Sequence, residues 1–206
     1  MRAADLPDRI PDRIADRALA APARLGRVRL VAVDGPSGSG KSVFADGLLD
    51  ALRERVATVA LVRTDDIATW DDPVSWWPAL ADGVLTPLAE GRPGGYRRTA
   101  WTADGPVPGD TVEVAVPEVL VVEGVSSARR SVRPRLSLCV WIEVADPAVR
   151  LARAVGRDGP DAMSHLRRWQ LFENGWFAVD RPDSAADLVV DGSSPMGRMS
   201  EFRHLL

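Results

Sequence analysis

The chain of 206 residues holds one cysteine, two histidines and one asparagine. Cys139 has no second cysteine to pair with, so no internal disulfide forms. Its place in LSLCVWIEV makes it a core filler rather than a nucleophile. His165 and His204 have no His, Cys or acid at ligand spacing, which argues against a zinc site. Asn174 stands in ENGW, so the Asn-Lys-x-Asp that reads guanine is absent and a GTPase is not expected. No apolar run approaches the length of a membrane span. The first residues, MRAADLPDRI, contain no apolar signal core, and the expectation is a cytoplasmic protein without a membrane partner. Charge of one sign is also lacking. The net charge is -3 and the arginines alternate with acids, so there is no basic footprint for nucleic acid.

What is present is ordinary globular composition, 46% hydrophobic and 27% charged, which at this length fits one α/β domain with a small lid or insert. The opening PDRI-PDRI-ADRA echo places Leu6, Ile10, Ile14 and Ala18 on one helical stripe, with Pro11 as a start or a break. Residues 1–26 read as a helical arm and linker, and residues 27–206 as the main domain. There, uninterrupted apolar strands are expected at 29–33, 57–63, 118–124, 138–144 and 187–190. Helices are expected at 39–55, in pieces over 73–90, from Asp146-Pro147 to about Arg157, and at 163–179. Residues 91–116, rich in Gly and Pro, read as a hairpin insert. Such alternation implies a five-stranded parallel sheet with helices on both faces, whose ligands bind beyond the carboxyl ends of the strands.

The first strand runs into DGPSGSGKS. Gly35-Pro36-Ser37-Gly38-Ser39-Gly40-Lys41-Ser42 fits G-x-x-x-x-G-K-[ST] between a buried strand and an amphipathic helix. In such a P-loop the glycines turn backbone N–H groups toward phosphate oxygens, and the helix N-terminus adds positive potential. Lys41 reaches the β and γ phosphates and Ser42 coordinates Mg²⁺; Val43 completes the candidate nucleotide-binding segment. Asp34 either approaches the Mg²⁺ shell or opens the turn. Phosphoryl transfer also needs carboxylates at the acceptor and the metal, and cations over the moving phosphoryl. Asp65, after the second strand, is the candidate general base. Glu123, ending the third, is the candidate Mg²⁺ carboxylate. Arg150, Arg153 and Arg157 are spaced to share one helix face and suit a lid, at about 150–165, that closes over phosphates. Trp76 and Trp77 could wall an acceptor pocket or pack the core; Trp169 and Trp176 read as a core stripe.

These segments resemble the uridine kinase family of P-loop kinases over about Val28 to Gly192. Asp65-Asp66-Ile67 is similar to the segment carrying the catalytic base. Trp70-Asp71-Asp72-Pro73 resembles an aromatic-Asp-His-Pro segment whose first aspartate binds the ribose, which implies that role for Asp71. Val122-Glu123-Gly124-Val125 resembles a Glu-Gly-Ile segment, and Arg150 to Asp158 the start of the lid. The resemblance implies a three-layer fold with a base-holding β-hairpin. Tyr96 would be its aromatic residue, and Trp101 stands where the family has a histidine. Asp72 replaces another histidine. Arg97 and Arg98 add charge near the acceptor and favour an anionic one. The lid lacks the family's second arginine pair, a gap that Arg167 and Arg168 could fill. Asp66, Asp71, Tyr96, Arg98, Trp101 and Arg150 are the candidate substrate contacts, and Asp65, Lys41, Arg153 and Arg157 the catalytic set. The expected reaction is ATP- and Mg²⁺-dependent phosphorylation of a small alcohol, foremost the 5′-hydroxyl of uridine or cytidine. A sugar, a pantothenate-like acid, another nucleoside, or a non-catalytic ATP-binding module are the alternatives. Oligomeric state is open, with a homo-oligomer among the options.

Overall fold

A computed structural model describes residues 9–69, 74–102, 105–193 and 202–203 of the chain. Its centre is a sheet in the order β2-β5-β1-β6-β7-β8. The strands are β1 (Arg29–Asp34), β2 (Val59–Arg63), β5 (Val119–Glu123), β6 (Leu136–Glu143), β7 (Leu188–Asp191) and β8 (Phe202–Arg203). The first five run parallel, as the apolar runs predict. The two-residue β8 adds an antiparallel edge beside β7 that the sequence did not signal.

Alternation along each buried strand divides the core in two. Val31 and Val33 of β1, with Val119 and Val121 of β5, face α1 (Ile10–Ala20) and α2 (Lys41–Arg53). Leu30, Ala32, Leu120 and Val122 face the opposite layer, which includes Trp76, Leu80, Leu85 and Leu88. The segment read as an N-terminal arm is packed against α2 as one of the covering helices. Pro11 sits in its first turn, and the four-residue stripe Ile10, Ile14, Ala18 is its buried side. Arg55, at the end of the α2 region, clasps Asp16 at 2.8 Å and Asp12 at 3.2 Å.

The second layer contains α3 (Trp77–Leu80), a π-helical stretch (Ala81–Leu85) and α4 (Thr86–Ala89) in continuous succession. The insert is an antiparallel hairpin of β3 (Gly94–Thr102) and β4 (Gly105–Val114). It crosses the helical stretch backbone to backbone: a Cβ on Gly83 would collide with the carbonyl of Gly95. After β6 come α5 (Pro147–Asp158), α6 (Met163–Asp180) and α7 (Pro182–Ala185). Asp146 caps α5, accepting the Ala148 N–H at 2.8 Å.

Candidate active site

Parallel register brings the polar strand ends together. Glu123 stands level with Val33 on one side and with Arg63 on the other. The loop after β1, the turn after β2 and the end of β5 therefore open into one crevice.

The phosphate loop is held from below by Asp34. This fully buried carboxylate accepts N–H bonds from Gly35 at 2.7 Å, Ser126 at 3.0 Å and Ala128 at 2.9 Å. Burial pushes it up to about 6, against those donors and Lys41. Of its two sequence readings, the structure favours the turn-opening one: its oxygens are spent on the backbone. Gly38 has φ +76°, and a Cβ there would run into the Arg150 carbonyl, so glycine is required. Lys41, the only lysine in the chain, is nearly buried and donates to the Pro36 carbonyl at 3.0 Å.

Ser42 Oγ donates to Glu123 Oε1 at 3.3 Å. Burial pushes Glu123 up to about 7; Asp65 adds to the rise, while Lys41, Arg63 and the Ser42 hydroxyl oppose it. The Arg63 guanidinium lies 3.6 Å from Glu123 and pairs with Asp46. Among the described residues no cluster of three His, Cys, Asp or Glu could by itself hold a metal. One hydroxyl and one carboxylate do suit Mg²⁺, which takes few protein oxygens and completes its shell with water and phosphate.

Two cavities open over these groups. One, of about 420 Å³, runs along Ser37 to Val43 and is walled by Asp65, Glu123, Arg153, Arg157 and Ser193. The other, of about 440 Å³, is lined by Ser37, Asp65, Ala68, Arg157, Asp158, Ala162, Leu166 and Trp169. They share Ser37, Asp65 and Arg157. Asp65 is exposed in the 3-10 turn Thr64–Asp66, at that junction. Arg157 grips Asp158 through two bonds of 2.6 and 2.8 Å. Arg153 donates to the carbonyls of Gly192 at 2.8 Å and Ser193 at 3.1 Å, and all three residues line the first cavity.

Several sequence expectations fall elsewhere. Arg150 is buried and lines neither cavity. Its guanidinium donates to the carbonyls of Val144 and, at 3.3 Å, Ala145. In the first turn of α5 it lies beside the loop that follows β6, and the carbonyls of that loop take its guanidinium. Asp66 accepts the Tyr96 hydroxyl at 2.9 Å and Arg98 Nε at 3.2 Å. Tyr96 is core-packed, and burial with Asp66 beside it pushes its phenol up to about 12. With Thr99 donating to the Ile67 carbonyl at 3.2 Å, these residues pin the hairpin to the turn that carries Asp65. Asp66, Tyr96 and Arg98 line neither cavity. Asp71 and the Trp101 side chain lie outside the described residues; the Trp101 backbone pairs with Pro106. Trp76 is core, with the Arg129 guanidinium 4.6 Å from its ring centroid. The indole at a cavity is Trp169, which also packs against the core, as its stripe on the late helix implies. Arg167 and Arg168 line neither cavity. Burial pushes the Cys139 thiol up, as its core reading implies.

Glu173 was not anticipated. This α6 acid is 1% exposed and accepts the Ser37 N–H at 3.0 Å through Oε2 and the Ser37 hydroxyl through Oε1. Burial pushes it up; Lys41, Ser37 and Trp169 oppose the rise. Its partner is 136 residues away, and no local pattern announces that contact.

The sheet and the helices on its two faces make a three-layer α/β fold with a P-loop after β1, and solved P-loop proteins share that fold. A possible uridine kinase from Bacillus stearothermophilus matches with a TM-score of 0.63 at 20% identity, over 87% of this chain and 96% of that one. A candidate fructose transport system kinase from Silicibacter sp. TM1040 matches at 0.57 and 20%, over 85% and 94%. A candidate P-loop-containing kinase from Saccharomyces cerevisiae, with a circular permutation, matches at 0.50 and 11%, over 84% and 93%. What these proteins share with the chain is the fold. In sequence it matches no protein-family model and no curated protein.

Proposed function

We propose that this protein transfers the γ-phosphoryl group of ATP to a hydroxyl of a small molecule, foremost the 5′-hydroxyl of a pyrimidine nucleoside. The observation that carries the reading is the junction of the two cavities at Ser37, Asp65 and Arg157. One cavity has a phosphate loop for its floor. The other meets it at a carboxylate and a guanidinium, the groups that an acceptor hydroxyl and a moving phosphoryl require.

ATP lies along the loop amides with Lys41 on its phosphates. Ser42 and Glu123 would hold Mg²⁺, which when bound neutralises phosphate charge. The acceptor hydroxyl approaches from the second cavity. Its oxygen forms a bond to the γ-phosphorus as the bond to the β–γ bridging oxygen breaks. The hydroxyl proton passes to Asp65, and ADP leaves with the electron pair of the broken bond. Arg157 exchanges Asp158 for the developing charge on the phosphoryl oxygens. Positioning and charge supply the acceleration, since the transfer itself needs little covalent help.

Trp169, Leu166, Ala68 and Ala162 give the second cavity an apolar side, with an indole on which a ring can stack. That supports a ring-bearing acceptor over an open-chain one. The bonding of Arg157 to Asp158 leaves less free positive charge there than an anionic acceptor would want. The test is ADP release from Mg-ATP with a panel of nucleosides, sugars and vitamin precursors. Acceptor-dependent ADP with uridine and cytidine is expected. Release with a sugar alone keeps the transfer and removes the nucleoside; no acceptor-dependent release removes both.

A further inference from the structure

Glu173 is a buried acid beside the phosphate loop to which the transfer chemistry assigns no step. Leu166, Trp169 and Glu173 are spaced three and four apart, so one face of α6 carries all three. The first two line the second cavity. The third reaches the loop and takes both the N–H and the hydroxyl of Ser37. Ser37 in turn lines both cavities. Loop amides ordinarily point at phosphate, yet this one is committed to a side chain of the opposite wall. Keeping a carboxylate 1% exposed is costly, and the two Ser37 bonds offset that cost only if the helix stays at one distance from the loop.

We propose that Glu173 is a positioning residue that ties the acceptor wall on α6 to the phosphate loop through Ser37, fixing the acceptor cavity relative to the donor phosphates. The inference rests on reading the second cavity as the acceptor seat. The clamp works by position rather than by charge. A glutamine can keep it, because its amide oxygen accepts the Ser37 N–H and its NH₂ donates to Ser37 Oγ. Alanine cannot. Misalignment of about 1 Å between reacting groups costs roughly a hundredfold in rate, so the loss falls on kcat more than on the KM for ATP.

The experiment compares wild type, Glu173→Ala, Glu173→Gln, Ser37→Ala and the double variant Ser37→Ala/Glu173→Ala. Transfer is followed with Mg-ATP and the best acceptor of the panel, and hydrogen exchange is followed in the peptide containing Ser37. Glu173→Ala is expected to lower kcat roughly a hundredfold and to raise exchange at Ser37. Glu173→Gln should restore most of both. The double variant should fall no further than Glu173→Ala alone, since Ser37→Ala removes only the hydroxyl bond, which Glu173→Ala has already removed together with the N–H bond. Equal loss in the Gln and Ala variants, wild-type kcat in the Ala variant, or additive losses would each overturn the proposal. Should Glu173→Ala fail to fold, the Gln variant and Ser37→Ala still decide it: the first must keep the amide of residue 37 protected, and the second, which loses the hydroxyl bond and keeps the N–H bond, must raise its exchange in part and lower kcat. A wild type with no acceptor-dependent ADP refutes the kinase reading, while exchange at Ser37 still reads the clamp.

Discussion

The hydroxyl of Ser42 and the carboxylate of Glu123 meet at 3.3 Å, across 81 residues of chain, because β1 and β5 are adjacent and in register. The pair brings the end of the phosphate loop to the acid that ends the neighbouring β5. Without a cation the carboxylate is costly to ionise there, and it is pushed up to about 7. That cost gives the site a measurable signature.

Between about 4.5 and 7 the folded protein binds more protons at Glu123 than the unfolded chain does. The stabilisation is full below the unfolded value and is lost as pH rises through the folded one. Glu123→Gln has no such dependence. The stability difference should therefore shift toward the variant between pH 4.5 and 8, by as much as roughly 3 kcal/mol. Denaturant melts across that range measure it. A constant difference would remove the buried-acid account. Mg-ATP should stabilise the wild type more than the variant at pH 8, because Gln offers a metal no negative charge.

Asp65 is exposed at the junction of the cavities and supports no hydrogen bond described in the fold, so its replacement should cost chemistry and little else. Asp65→Asn is expected to reduce transfer by about a hundredfold or more, with ATP affinity and melting temperature near wild type. Single-turnover ADP formation and calorimetric titration with ATP separate the two. Turnover within a few-fold of wild type would mean that another group takes the hydroxyl proton.

The parts of this site that were legible in the sequence share one property: local chain geometry fixes them. Gly35 to Ser42 is contiguous, and Asp65 and Glu123 are found because parallel strands deliver their carboxyl ends to one crevice. Arg153 and Arg157 follow from helical spacing. The same spacing misplaced Arg150, since periodicity says which residues share a face and not which turn abuts a strand end. Trp76 was open between pocket and core and lies in the core, while Trp169 packs against the core and lines the second cavity as well. Spacing along α6 does not say where that helix lies against the loop, and the Glu173 contact depends wholly on that placement.

Tyr96 tests whether the hairpin braces or binds. Its hydroxyl donates to Asp66 at 2.9 Å with the ring packed in the core. Tyr96→Phe should therefore lower stability by about 1 kcal/mol and leave the acceptor KM unchanged. Arg98 still satisfies Asp66 in that variant. A rise in acceptor KM of about tenfold without loss of stability would instead return the ring to the acceptor, as the family resemblance implies.

Trp169 carries the opposite expectation. It lines the second cavity and no part of the first, so it should matter to the acceptor and not to ATP. Trp169→Ala removes the one flat ring of that wall, and a stacking contact of this kind is worth about 1–3 kcal/mol for a base. Acceptor KM should rise roughly tenfold or more, with the KM for ATP held. Trp169→Phe keeps a smaller ring and should fall between the two. The comparison across acceptors sharpens the result. A nucleoside that stacks through its base loses more affinity in the alanine variant than a compact sugar, which offers only a C–H face to the indole. If both substrates lose equally, the cavity beside Trp169 is not recognising a ring. If neither loses, the acceptor sits elsewhere and the junction at Asp65 is approached from another side.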